Sequence, residues 1–114
     1  MHSGEVWLIN LDPTVGSEIK KTRPAVIVND DAIGILPLKV IVPITDWKDG
    51  YSVAPWMVRL EADAQCGLSK TSAADAFQVR SVAQERFVRQ VGRLSEAAMQ
   101  EIIKALTIVL SIES

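Results

Sequence analysis

Arg23-Pro24-Ala25-Val26-Ile27-Val28 is a short, unbroken apolar run entered through an arginine and a proline. Its length and its β-branched residues predict a strand over Pro24–Val28 that is covered on both faces. Pro24 suits the first position of that strand, where no ladder donor is required. Asn29-Asp30-Asp31 closes it. Upstream, Asp12-Pro13-Thr14-Val15-Gly16-Ser17 is dense in turn formers, which predicts a loop running to Thr22. Before the loop, Gly4 to Leu11 mixes β-branched and aromatic residues and reads as a strand.

Working outward in the other direction, Leu38 to Thr45 is the next strand, and Pro43 implies an edge or a bulge near its end. Asp49-Gly50 marks a turn, and Trp56 to Leu60 returns as a strand. Between Cys66 and Val82 the pattern predicts a short strand around Phe77–Arg80, with a turn of helix over Ser72–Ala76. Phe87 to Leu94 reads as the last strand. From Ser95 the period changes: Met99, Ile102, Ile103, Leu106, Val109 and Leu110 line one face of a helix. Ser95 is its expected N-cap, with Glu96 beside the positive end of the helix dipole. Short strands at close spacing and one terminal amphipathic helix predict a mainly β fold, a small bent antiparallel barrel plus a helix. No repeat or linker composition interrupts the chain, so one domain spans residues 1–114.

The 114 residues suffice for one core without staples. An apolar fraction of 48% with 23% charged residues argues against disorder. No apolar run approaches the roughly 20 residues that span a bilayer. One cysteine, Cys66, permits no intrachain disulfide, which favours a cytoplasmic setting. The one histidine, His2, lies at the terminus, so no His-dependent triad or His-rich zinc site can be assembled within one chain. Neither a Gly-rich phosphate loop nor a metal-ligand cluster is visible, so the reading calls for no metal and no cofactor. An enzyme built on this chain must work with Arg, Lys, Asp, Glu, Ser, Thr or Tyr.

The loop before Pro24 concentrates charge: Glu18, Lys20, Lys21 and Arg23. Proline restricts the backbone of Arg23, and a guanidinium fork matches two phosphate oxygens. A surface ion pair of Arg23 with Glu18 or Asp12 is the plainer alternative. Thr45 ends an apolar strand, where its hydroxyl either meets a phosphate oxygen or bonds locally. Trp47, Tyr51 and Trp56 bracket one turn; core or dimer packing is the plainer role for them, but exposed aromatic faces stack unpaired bases, and of the three Trp47, which follows the strand end, is best placed to do so. Arg80, Arg86, Arg89 and Arg93, opposed only by Glu85, form a basic strip in a chain of net charge −2. Such a strip either holds RNA through nearby phosphates or protects a sheet edge.

Taken together these residues carry a resemblance. Gly4-Glu5-Val6-Trp7, Leu11-Asp12-Pro13-Thr14-Val15-Gly16-Ser17-Glu18 and Arg23-Pro24-Ala25-Val26-Ile27-Val28-Asn29-Asp30 resemble the amino-terminal half of the MazF/PemK toxins. Val42-Pro43-Ile44-Thr45 and Phe77-Gln78-Val79-Arg80-Ser81-Val82 are similar to later segments of that family, and the closing helix matches too. The resemblance implies an SH3-like barrel with a terminal helix, a homodimer, and a cognate antitoxin protein as partner. It also implies sequence-selective, metal-independent cleavage of single-stranded RNA, with Arg23 and Thr45 as the catalytic pair and Glu18 as a further catalytic carboxylate. Lys20, Lys21, Gln78 and Arg80 fall where such proteins contact RNA, as do Ser69 and Lys70 in the loosely matching stretch from Gly67 to Asp75. Asp46-Trp47 departs from the smaller polar residues expected there.

The implied chemistry fits the composition. RNA supplies its own nucleophile, the 2′-hydroxyl, leaving positioning, proton handling and charge neutralisation to the protein. The products would be a 2′,3′-cyclic phosphate and a 5′-hydroxyl. Two competing readings are a non-enzymatic gyrase poison of the CcdB kind and a catalytically inactive antitoxin-binding barrel. The gyrase poisons act through an aromatic carboxy-terminal end, and no aromatic follows Phe87 here.

Overall fold

The computed structural model describes residues 1–33 and 36–113. Seven strands, β1 (Glu5–Asn10), β2 (Thr22–Ile27), β3 (Leu38–Asp46), β4 (Met57–Leu60), β5 (Ser72–Asp75), β6 (Arg80–Ala83) and β7 (Phe87–Arg93), precede one helix, α1 (Glu96–Val109). Every strand pair is antiparallel, in the order β4-β5-β3-β2-β1-β7, with β6 also on β3. The expected mainly β fold with a terminal helix is the one observed.

β3 is the pivot. Its first half pairs with β6 from Leu38 to Ile41, and its end pairs with β5 from Ile44 to Asp46. Val42 and Pro43 fall in the gap between those partners. Pro43 therefore sits in a central strand, not on an edge, at the point where that side of the ladder is interrupted and no donor is needed. Pro24 is the third residue of β2 rather than the first. It pairs with Leu8 on one side, just beyond the last β2–β3 pair.

The sheet buries both faces because its strands alternate. Val6, Val26, Val42 and Ile44 point to a core completed by Leu60, Ala74, Leu94 and Ile102. Ile9, Ala25, Ile27 and Ile41 point to a second core with Leu11 and Val82, which Ile19 from the long loop helps to cover. Each such isoleucine contributes about 1.5–3 kcal/mol of burial.

β4 and β7 end the path, and backbone contact bridges them. The Arg93 N–H donates to the Gln65 carbonyl at 2.9 Å. A Cβ on Gly67, whose φ is +74°, would stand 2.0 Å from the Val91 carbonyl oxygen, and one on Gly92 would stand 2.3 Å from Cys66. Two main chains cross here with no room for a side chain on either. The crossing also delivers Ser69 and Lys70 to the edge of a groove described below.

Two expectations are overturned. Ser72–Asp75 is a strand and not a turn of helix. The expected strand at Phe77–Arg80 is instead a single 3-10 turn over Ala76–Gln78, with β6 starting at Arg80. Ser72-Ala73-Ala74-Asp75 lacks β-branched residues, yet all four are buried between β3 and β4, where only small side chains fit. Helix α1 is N-capped as expected, Ser95 Oγ accepting from the Ala98 N–H at 3.1 Å. Its packed side is rotated from the expected one. Ala98, Ile102 and Ala105 turn inward, while Ile103 and Leu110 are exposed.

Candidate functional site

The loop from Asp12 to Lys21 is a built structure. The Leu11 N–H donates to the Lys21 carbonyl at 3.0 Å and closes its neck. Asp12 Oδ1 accepts from the Lys21 N–H at 3.0 Å and from Thr14 Oγ1 at 3.3 Å. Lys21 adopts a left-handed φ of 69° to make that turn. Glu18 Oε1 accepts from the Val15 N–H at 2.6 Å. Three side chains from distant elements then grip the loop and its neck. Gln78 bonds Ile19 and Ser17, Arg80 donates to the Leu11 carbonyl at 3.2 Å, and Arg86 donates to the carbonyls of Asn10 and Asp12.

Arg23 and Thr45 lie just past the paired part of neighbouring strands. β2 and β3 pair Ile27 with Ile41, Val26 with Val42 and Ala25 with Pro43. Counted two residues past its last pair, that register would oppose Arg23 to Thr45; there the β2–β3 ladder has ended, and Arg23 pairs with Ile9 of β1 while Thr45 pairs with Ala73 of β5 on the far side of β3. Arg23 and Thr45 are both half-buried. The splayed end leaves a hollow on either side. One, of about 340 Å³, is a groove lined by Arg23, Arg89, Asp46, Ser69, Lys70 and Ser72 among others. The other, of about 520 Å³, is lined by Glu18, Gln78, Arg80, Pro43, Phe77 and residues of the loop. Thr45 lies in sequence between Pro43 of one hollow and Asp46 of the other.

The Arg23 guanidinium makes neither of the ion pairs considered for it. Its Nε donates to the Lys20 carbonyl at 3.3 Å, which leaves the terminal nitrogens for another partner. Lys70 Nζ stands 3.1 Å from Asp46 Oδ2, and both side chains are exposed. Ser69, Lys20 and Lys21 are exposed as well. Glu18 is separated from Arg23 in that it lines the loop-side hollow and not the groove.

The arginines from 80 to 93 do not form a continuous strip. Arg80 and Arg86 are turned to main-chain carbonyls, and Arg93 lies 3.5 Å from buried Glu5. Arg89 alone lines the groove beside Arg23 and makes no hydrogen bond or ion pair among the described residues. Trp47 is half-buried, edge-to-face with Tyr51 at 5.8 Å, and Arg59 lies 5.4 Å from its ring centroid. One face of the expected base stacker is thus already covered.

Sequence reasoning passed over Asp75. Its carboxyl is buried, and burial raises its pKa above the ordinary 3.8, while donors from Phe77 and Gln78 oppose the rise. Its signal was an acidic residue at the end of a small-residue run, which reads equally well as a turn. Among the described residues, no group of three His, Cys, Asp or Glu side chains is placed to hold a metal ion.

Comparisons with known proteins agree with this layout. Residues 2–110 match the model of the PemK-like, MazF-like toxins of type II toxin–antitoxin systems. The endoribonuclease MazF9 of Mycobacterium tuberculosis is 36% identical over 120 residues, covering 100% of this chain and 99% of that protein. The endoribonuclease PemK of Escherichia coli is 32% identical, covering 97% and 83%. The crystal structure of MazF from Deinococcus radiodurans superposes with a TM-score of 0.81 at 25% identity, covering 98% of this chain and 97% of that one. A MazE–MazF structure from the same organism gives a TM-score of 0.75 at 25% identity, covering 99% and 97%. A loop gripped from three sides, an arginine and a threonine at one splayed strand end and a match over nearly the whole chain lead to one assignment: this protein belongs to the PemK-like, MazF-like toxin family.

Proposed function

We propose that this protein is the toxin of a toxin–antitoxin pair and acts as an endoribonuclease on single-stranded RNA. The observation that carries the reading is the groove in which Arg23 stands with Arg89 and Lys70, at the strand end that bears Thr45 and Asp46. The 2′-hydroxyl of the substrate gives its proton to Glu18 and attacks the adjacent phosphorus, and the 5′-oxygen leaves with a proton taken from solvent water, giving a 2′,3′-cyclic phosphate and a 5′-hydroxyl. Arg23 neutralises the charge that builds on the phosphoryl oxygens, the task for which preorganised donors are worth most. A guanidinium is a permanent cation, so Arg23 remains a charge and does not serve as an acid. Thr45 donates its hydroxyl to a phosphate oxygen.

Glu18 is the general base in this proposal. Its Oε1 holds the Val15 N–H, while Oε2 has no hydrogen bond among the described residues. The RNA then crosses the splayed β2–β3 end from the loop-side hollow to the groove, its phosphates following Lys20, Lys21, Arg89 and Lys70. Ser69 lines the same path. Trp47 offers its uncovered face to a base. The activity needs no metal, because the substrate carries the nucleophile. The protein works as a homodimer, for which α1 offers exposed Ile103, Ile108 and Leu110. Its partner is an antitoxin with an acidic, partly disordered segment that lies over the basic loop and shuts RNA out. Support for the partner comes from the family description and from the structure of MazF with MazE.

The test is cleavage of a single-stranded RNA in a metal-chelated buffer. Arg23→Ala should lower the rate by about 10³-fold or more, and Thr45→Ala by about 10²-fold, with thermal unfolding unchanged. Near-wild-type cutting by Arg23→Ala removes the proposal.

A further inference from the structure

On the loop side, one side chain links the core of the sheet to the catalytic arginine without touching it. Gln78 Oε1 accepts from the Ile19 N–H at 2.6 Å, and Gln78 Nε2 donates to the Ser17 carbonyl at 3.2 Å. Two peptides beyond the Ile19 N–H, the Lys20 carbonyl receives Arg23 Nε at 3.3 Å. We infer that Gln78 is a positioning residue: it fixes the backbone of Ser17–Lys20 and thereby the carbonyl against which the Arg23 guanidinium is oriented. The inference rests on the proposed cleavage reaction for its consequence, and replaces the expected contact of Gln78 with RNA.

The carboxamide has little capacity left for a base. It owns two N–H donors and two acceptor lone pairs. One donor goes to Ser17, and the side chain also stands beside the buried Asp75 carboxylate, whose negative charge it helps to stabilise. One lone pair is committed to Ile19 at short range. The opposite assignment of its oxygen and nitrogen would set a donor against the Ile19 N–H, so the orientation follows from chemistry. Gln78 is itself held still. It ends the 3-10 turn over Ala76–Gln78, which Asp75 caps by accepting the Phe77 N–H at 3.1 Å. Asp75 lies in β5, packed between β3 and β4. A strand, a capped turn and a carboxamide bonded through both its oxygen and its nitrogen thus reach across 59 and 61 residues of sequence to the loop.

The loop needs such a grip. Ser17, Glu18 and Lys20 are exposed, and Ile19 is the residue of that segment whose side chain packs into the second core. Without the two bonds, the Lys20 carbonyl would sample several orientations and the guanidinium would follow it. Misplacement on the scale of 1 Å costs on the order of 10²-fold in rate.

The experiment compares Gln78→Met, which keeps length and bulk but loses both loop bonds, with Gln78→Ala. Three quantities are read: kcat and KM on a single-stranded RNA, Kd for its non-cleavable 2′-O-methyl counterpart, and hydrogen exchange at the Ile19 amide. Both variants should lower kcat by about 10–100-fold while KM and Kd stay within about twofold. Exchange at Ile19 should quicken by about tenfold or more. In an Arg23→Lys background the loss from Gln78→Met should shrink to below about threefold, since both changes act on one group. An unchanged kcat, a loss carried by KM and Kd alone, or a full loss in the Arg23→Lys background overturns the inference. So does normal behaviour of the Met variant beside an impaired Ala variant, which would make Gln78 a packing residue. If the wild-type protein cuts no RNA, the proposed reaction falls, and exchange at Ile19 still decides whether the clamp exists.

Discussion

The two hollows beside the splayed end of β2 and β3 treat their polar groups in opposite ways. On the loop side, Glu18, Gln78 and Arg80 all bond main-chain atoms of the loop or its neck. In the groove, Arg23 makes one bond through Nε, Arg89 makes none among the described residues, and Lys70 meets only exposed Asp46. Groups bonded to the loop or its neck hold that geometry, whereas the cations that line the groove keep donors for a phosphate. An exposed pair such as Lys70–Asp46 is worth roughly 0–1 kcal/mol, so an incoming phosphate displaces Asp46 at little cost. Proximity to a candidate site is therefore a poor guide to a residue's role, and the state of its hydrogen bonds is a better one.

Glu18 stands on the boundary of that division, and among the substitutions that probe the boundary its own should have the largest effect. Glu18→Gln keeps an acceptor for the Val15 N–H but removes the base, so kcat should fall by about 10²-fold or more. Glu18→Ala should fall at least as far and also loosen the loop. Full activity in the Gln variant, read by single-turnover cleavage, would place Glu18 among the loop-holding groups.

A smaller effect separates the arginines. Arg89→Ala should weaken RNA binding alike for all sequences and reduce the slope of log affinity against log salt by about 0.7. Arg86→Ala, whose guanidinium is held by the Asn10 and Asp12 carbonyls, should leave that slope unchanged and lower the unfolding midpoint instead. Equal slopes for the two variants would break the division between cations bonded to the loop or its neck and those that line the groove.

The smallest effect concerns pH and Asp75. Burial holds its carboxyl above the ordinary 3.8 despite the donors from Phe77 and Gln78. The folded state thus binds this proton more tightly than the unfolded chain does. Stability from this group is fully present below pH 3.8 and is lost as pH rises through the folded value. Asp75→Asn should remove that downward slope in urea unfolding measured across the acid range. A slope that persists in the variant belongs to another group.

Much of this was legible in the residues, for physical reasons that differ by region. The runs Gly4–Leu11, Pro24–Val28 and Leu38–Thr45 announce β1, β2 and β3 because strands buried on both faces must be continuously apolar. That Arg23 and Thr45 fall at one splayed end follows only once those strands are paired. Ser72–Asp75 was illegible because its burial selects small side chains over β-formers, and tertiary packing overrode propensity. The pattern places Phe77 at the start of a strand, and it is instead two-thirds exposed on the 3-10 turn. The basic strip dissolved for a related reason. Charge can be counted along a chain, but whether Arg80 and Arg86 face solvent or a main-chain carbonyl depends on the loop folded beside them. The role of Gln78 lay furthest from view, since its partners are about sixty residues away.

The central claim is that the substrate supplies the nucleophile and Arg23 supports the charge. It is tested most directly by mapping a cleavage site in single-stranded RNA, then placing one ribonucleotide at that site in an otherwise deoxy strand, in chelating buffer. The account predicts a single cut on the 3′ side of the ribonucleotide, with a 2′,3′-cyclic phosphate on one fragment and a 5′-hydroxyl on the other, and no cut with Arg23→Ala. Cleavage of the all-deoxy strand, or products without the cyclic phosphate, would contradict it.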